Sequence, residues 1–448
     1  MKNILNEKVT LISLFKSTLP TVIMMIFFAA YSIVDGMFVS RFVGANALSA
    51  VNIVYPLISL LIGISVMFAT GGNAIVSKLM GENKIQKAKE NFLLIVLVTF
   101  IVGLIIGIIS LMFIKPIILF LGSTENVYEY CKDYLIIFLV FAPVMMMKLL
   151  FDYYYVTVGK SGFGLFISVL GGIINIILDY VLIVIFNMGV TGAGVATIIG
   201  YAIPAIIGFV FFRNKKYSLH FTKPVMDLKV LRDSCINGSS EMVTQLATAV
   251  TTYLYNIAML KYLGESGVAA ITVILYIQFL LSAAYIGFTS GVSPRIGYNY
   301  GARNKDELKK IIKYSFIIII TFSIISFIIA FIVKIPLTAL FCGKGTEVYN
   351  ITIHGFDLFS LSFLLCGINI FICGMFTAFS NGKVSGLLSL FRTFIFFIIG
   401  IAVLPYFFDV DGVWLVAVFA ECLSLILSII ALFRYSNEYE YGFKLKSI

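Results

Sequence analysis

The chain consists almost wholly of apolar segments long enough to cross a bilayer, and that property excludes most folds. Twelve such segments are read, at approximately 15–41, 49–77, 91–114, 127–157, 162–186, 190–212, 237–260, 267–293, 312–333, 348–379, 384–408 and 411–434. A helix needs about 20 residues to cross the hydrocarbon layer. Lipid offers no hydrogen bonds, so a spanning segment must be a helix or a strand of a closed barrel. Barrel strands are short and alternating, whereas these segments are long and carry internal glycines. The expected fold is an all-α polytopic membrane protein. Of 448 residues, 60% are hydrophobic and only 12% charged, against about 25% charged in soluble domains.

The charges give the orientation. With the N-terminus placed in the cytoplasm, 24 of the 32 Lys and Arg fall in cytoplasmic segments, six fall outside, and Lys148 and Arg392 lie within spans. That asymmetry predicts cytoplasmic N- and C-termini. The net charge of +10 sits in short loops rather than on a soluble domain, so it speaks for a membrane surface and against nucleic acid. The first segment ends in Asp35 and Arg41 rather than a small-residue cleavage site, so it is expected to stay as a helix. None of the six cysteines forms a CxxC pair, which argues against zinc and redox roles. Cys366 and Cys373 read as small hydrophobes.

The sequence repeats internally. RFVGANALSAVNIVYPL at 41–57 aligns with KYLGESGVAAITVILYI at 261–277, and the offset of 220 also pairs Gly71 with Gly291, Gly81 with Gly301 and Pro116 with Pro336. Each half holds six spans, so both face the same way. The prediction is two parallel six-helix lobes related by a pseudo-twofold axis along the membrane normal, with a pathway between them. The lobes are expected at 1–212 and 237–448, joined by a basic cytoplasmic linker at 213–236.

Intramembrane polar groups are costly and mark function. Asp35 lies six residues from the outer end of span 1. Asp179 stands at similar depth in span 5, Asn175 is one turn below it on the same face, and Thr197 is at matching depth in span 6. Two carboxylates, an amide and a hydroxyl make an oxygen-rich site for a proton or Na⁺. At the repeat offset Asp35 meets Tyr255 and Thr197 meets Ala417, so the second lobe lacks this set. A duplicated scaffold does not need it for folding, which favours a functional role. Pro20 removes a backbone donor inside span 1 and marks a bending point.

Soft and aromatic side chains, Met24, Met25, Phe28, Tyr31, Tyr255 and Tyr276, are candidates for a cleft that holds organic cations. Asp152 and Glu241 read as interfacial, and Lys148 and Arg392 as snorkelling or anion-binding. Glu421 is a possible partner of Arg392. His354 reads as a local hydrogen-bonding group near Asp357. No Walker A, GxSxG or HExxH sequence is present, so the chain reads as a non-enzyme without a cofactor, driven by an ion gradient.

This combination resembles the MATE (multidrug and toxin extrusion) family of antiporters, nearest its MepA-like and DinF-like bacterial branch. The resemblance rests on two six-span lobes, a first helix with Pro20 and Asp35, and Asn175-x-x-x-Asp179 in span 5, and it covers essentially the whole chain. It implies export of cationic lipophilic compounds from a bacterial cell, across the plasma membrane, in exchange for H⁺ or Na⁺, by a monomer. It further implies coupling at Asp35, Asp179, Asn175 and Thr197, with Tyr134 as a nearby fourth-helix tyrosine and Pro20 as the bend. Another branch carries acids on helices 7 and 10, where Glu241 lies too near the inner end and Asp357 matches loosely. A lipid-linked oligosaccharide flippase is the alternative within the superfamily. It would require a strongly cationic cleft, for which Lys148 and Arg392 are the only candidates. A membrane-embedded lipid enzyme lacks its dyad here, and a channel lacks its repeated ring of charge.

Overall fold

The computed structural model describes residue 5, residues 7–341 and residues 343–442. Among them the secondary structure is helical throughout. In the first lobe α1 spans Leu11–Phe38, α2 Ala45–Gly81, α3 Ile85–Met112, α4 Ile114–Phe120, α5 Glu125–Val140, α6 Ala142–Thr157, α7 Ser161–Asp179 and α8 Gly189–Arg213. In the second, α9 spans Leu228–Gly301, α10 Lys305–Phe341, α11 Glu347–Phe359, α12 Phe363–Ala378, α13 Gly382–Leu390 and α14 Phe396–Tyr439.

Nine stretches of the described residues are long and apolar enough to cross a membrane, and α5 with α6 forms a tenth span bent by 59°. The segment expected to be continuous over 127–157 is thus broken, at Phe141 and ahead of Pro143, whose ring lacks the donor a helix interior needs. Two of the longest stretches divide again. Gly264 interrupts α9 with φ 63° and ψ −152°, and Asp409 interrupts α14 with φ 47° and ψ −128°. Dividing both gives twelve spans, in line with the sequence. Gly44, the repeat partner of Gly264, also has a positive φ, 115°, between α1 and α2. Both lobes therefore reverse the chain at a residue that carries no Cβ penalty there.

Four apolar clusters divide the molecule by depth. Two lie at the end bearing the basic loops and draw on both lobes. One packs Val9 and Leu14 among residues of the second lobe, and the other packs Tyr298 among residues of the first. The two at the opposite end are each confined to one lobe, around Tyr134 and Phe138 in the first and around Trp414 and Phe359 in the second. The lobes are thus joined at the basic end and carry separate cores at the other.

Glycine permits the join. A Cβ on Gly71 would lie 2.0 Å from the Ser234 carbonyl oxygen, and one on Gly238 would lie 1.9 Å from that of Met67. Gly81 meets the Tyr298 carbonyl at 2.0 Å and Gly301 meets that of Lys78 at 2.1 Å, measured the same way. Gly291, the repeat partner of Gly71, packs on Thr18 and Thr21 of α1. The repeat-related glycines thus serve as symmetric contact points, α2 against the first half of α9 and its second half against α1.

Candidate functional site

The site is assembled from α1, α5, α7 and α8. Gly171 and Gly172 let α7 approach its neighbours closely. A Cβ on Gly171 would lie 2.5 Å from the Gly200 carbonyl oxygen of α8, and one on Gly172 would lie 2.4 Å from the Phe27 ring of α1. This packing brings the polar residues of three helices to one depth. The side chains of Asp35 and Asp179 are within hydrogen-bonding reach of each other. Asn175 Nδ2 donates to Thr197 Oγ1 at 3.4 Å, and that hydroxyl donates in turn to the Ala193 carbonyl at 2.9 Å. Tyr134 of α5 is buried and lies within electrostatic range of both aspartates.

Four buried oxygens in this group, Asp35 Oδ1, both carboxylate oxygens of Asp179 and Asn175 Oδ1, receive no donor from the described residues. An ionised carboxylate is acceptor-only, and a buried acceptor without a donor is expensive. Two facing carboxylates satisfy each other only by sharing a proton or a cation. The Thr197 hydroxyl is committed to its own helix and fixes the amide of Asn175. The donor set of carboxylates, amide carbonyl and hydroxyl suits a hard cation as well as a proton.

Both acids adjoin a local widening of the helix. Residues Val39–Val43 after α1 and Tyr180–Ile185 after α7 form π-helical turns, with Gly44 N donating to Val39 O at 3.1 Å and Phe186 N to Val181 O at 2.9 Å. A third such turn, Phe391–Ile395, carries Arg392. Such turns recur at functional sites, and no residue preference marks them in a sequence. Pro20 stands inside α1, which continues through it. Its missing N–H leaves the Lys16 carbonyl without a helical donor.

The other candidates fall in different places. Met24 is buried, and Tyr31 is buried beside Tyr201. Phe28 is half-buried against the outer core of the first lobe. Tyr255 is not gathered with them: it sits in the core of the second lobe, its ring 4.9 Å from that of Phe397. Tyr276 is exposed at 42%.

Several charged residues depart from their expected settings. Lys148 neither snorkels nor awaits an anion, and Asp152 is buried inside the protein. The two form a buried pair at 2.7 Å, because residues four apart on α6 share a face. Glu241 lines a small cavity between the lobes with Thr70, Asn73, Tyr153 and Thr289. Arg392 is likewise satisfied within the second lobe. It donates to Glu421 through Nε at 2.9 Å and Nη2 at 2.8 Å, and Asn369 Nδ2 adds a bond at 2.7 Å. Asp357 pairs with Lys334, and His354 with Asp411 at 2.6 Å.

The architecture and the acid pair together describe a duplicated helical membrane protein with two facing carboxylates in its first lobe. The MatE family profile matches residues 20–181 and again 242–403, and the chain belongs to that family. The two matches begin almost one repeat offset apart. Among curated relatives, the multidrug export protein MepA of Staphylococcus saprophyticus is 23% identical over 90% of this chain and 88% of its own length. MepA of Staphylococcus haemolyticus is 25% identical over 83% of each chain. A crystal structure of MATE in complex with MaL6 superposes with a TM-score of 0.93 over 99% of this chain and 100% of that one, at 19% identity. The protein is thus a multi-pass membrane protein with the MATE fold.

Proposed function

We propose that this protein is a multidrug efflux antiporter that exports lipophilic organic cations in exchange for H⁺ or Na⁺ by alternating access. The observation that carries the reading is the Asp35–Asp179 pair of the first lobe, with Asp179 buried, Asp35 half-buried, and three carboxylate oxygens that no donor among the described residues reaches. Its relatives named as multidrug export proteins support the same reading. The strong positive-inside asymmetry supports a cytoplasmic basic end, and on this reading the joined lobes are a cytoplasm-closed state of a transporter that works as a monomer in a bacterial plasma membrane.

In this cycle an external cation binds between Asp35 and Asp179, with Asn175, Thr197 and Tyr134 beside it. Neutralising the pair removes the charge repulsion between two carboxylates that the close packing of α1 on α7 holds together, and α1 bends at Pro20. The bend narrows the cleft walled by Met24, Phe28 and Tyr31 and releases the organic cation outward. Moving a two-state equilibrium from 1:99 to 99:1 takes a differential affinity of about 5.5 kcal/mol. Satisfying the three buried carboxylate oxygens of the pair that lack a donor is of that order, since each unpaired polar group costs about 1–3 kcal/mol or more when charged.

The flippase alternative is not favoured. The two cations read as its pyrophosphate candidates, Lys148 and Arg392, are each engaged by a carboxylate. Ethidium efflux from cells lacking their own exporters tests the proposal. Cells expressing the wild type extrude the dye, and Asp35→Asn, inserted at equal level, does not. Normal efflux by that variant would remove Asp35 from the mechanism.

A further inference from the structure

Two buried charges take no part in the ion site. Lys148 and Asp152 pair on α6 with side chains 4% and 6% exposed. Ser168 of α7 donates to the other oxygen of Asp152 at 2.9 Å. The Lys148 ammonium also lies over two rings, 5.1 Å from the centroid of Phe28 on α1 and 5.6 Å from that of Tyr201 on α8. One carboxylate and two aromatic faces from three helices therefore enclose a single ammonium group. Proteins hold organic ammonium ligands with the same elements. A buried ion pair alone is a poor device for stability, since desolvation offsets its attraction.

The cage is also tied to the ion site. Phe28, Tyr31 and Asp35 follow one stripe of α1, because residues spaced three and four apart share a helix face. Tyr31 lies beside Tyr201, whose ring forms the second wall. Any bend of α1 that follows a change at Asp35 moves the Phe28 wall with it.

We propose that this cage is a subsite for the cationic group of the exported compound, and that Lys148 is its tethered occupant. The lysine compensates Asp152 while no ligand is bound and competes with the ligand for the same carboxylate and rings. Its flexible four-carbon stem lets the ammonium withdraw when a ligand enters. The proposal rests on the efflux reading and adds a specificity device to it: a cation enters only if it outcompetes a primary ammonium held at high effective concentration.

The test uses the purified full-length protein with two probes, n-butylammonium, which replaces the missing lysine head, and tetraphenylphosphonium, a lipophilic cation. Lys148→Ala should be thermally stabilised by n-butylammonium at concentrations that leave the wild type unchanged. It should bind tetraphenylphosphonium about tenfold more tightly than the wild type, whereas Lys148→Arg gains nothing. Adding Asp152→Asn to Lys148→Ala should abolish both effects. Lys148→Met, which keeps most of the stem volume, carries the same expectation if the alanine variant is poorly recovered. Unchanged or weaker tetraphenylphosphonium binding by both Lys148→Ala and Lys148→Met, with the wild type binding normally, would overturn the cage and leave the efflux reading standing. Absence of binding by every form, together with absence of ethidium efflux, would overturn both.

Discussion

A methyl group at Gly81 or Gly301 should drive the lobes apart at the basic end. The Cβ of Gly81→Ala would lie 2.0 Å from the Tyr298 carbonyl oxygen and 2.9 Å from the Ala302 nitrogen. That of Gly301→Ala would lie 2.1 Å from the Lys78 carbonyl oxygen. All three obstacles are backbone atoms, so no side chain can rotate away. Ordinary contact requires the helices to separate by more than about 1 Å, and overpacking of this kind costs about 1–3 kcal/mol or more. Nearly all of that cost falls on the cytoplasm-closed state, because the contact exists only between lobes. A bias of 1–3 kcal/mol shifts the closed-to-open ratio by about 5–150-fold. Hydrogen exchange in lipid nanodiscs reads this shift directly. Peptides covering 71–82 and 297–302 should exchange faster in either variant, while the outer-end peptides covering 127–140 and 412–420 should not change. Exchange equal to the wild type at 71–82 and 297–302 in both variants would refute the role assigned to these glycines.

Further expectations follow from single contacts. Glu421→Leu leaves the largely buried Arg392 without its carboxylate partner and should destabilise the protein by about 3–5 kcal/mol, whereas adding Arg392→Met should restore most of the loss. Thermal unfolding of the three forms checks this, and equal loss in single and double variants would contradict it. Gly172→Val places new atoms where the Phe27 and Tyr31 rings now lie, 2.4 Å and 2.9 Å from an ideal Cβ. It should push α1 off α7 and reduce ethidium efflux at unchanged expression. Asn175→Leu removes the amide that Thr197 positions and should weaken cation coupling with little change in stability, read as efflux rate against melting temperature.

Much of this was legible in the sequence because a membrane makes polar residues costly. Asp35 and Asp179 stand out in apolar runs, and the missing counterparts in the second repeat separate use from scaffold. The repeat also marked Gly71, Gly81, Gly291 and Gly301 before their contacts were visible. Other features depend on which helix faces which. Tyr255 and Tyr31 look alike as aromatic residues in apolar spans, yet one packs into the core of the second lobe and the other lies beside Tyr201 near the acids. Lys148 and Asp152 carry an available signal, their spacing of four, but depth estimated from a loop boundary placed Asp152 at the interface. The break near Pro143 was also open to reading. The π-helical turns beside Asp35, Asp179 and Arg392 were not, since hydrogen-bond register has no residue code strong enough to mark it.

The central claim is that the buried pair of the first lobe takes up the ion whose gradient drives export. Ethidium transport in proteoliposomes, with a pH gradient and a sodium gradient imposed separately, tests it most directly. The wild type should concentrate the dye under at least one gradient, and Asp35→Asn and Asp179→Asn should each lose that gradient-driven component while still exchanging dye passively. Gradient-driven uptake at the wild-type rate by both variants would contradict the claim.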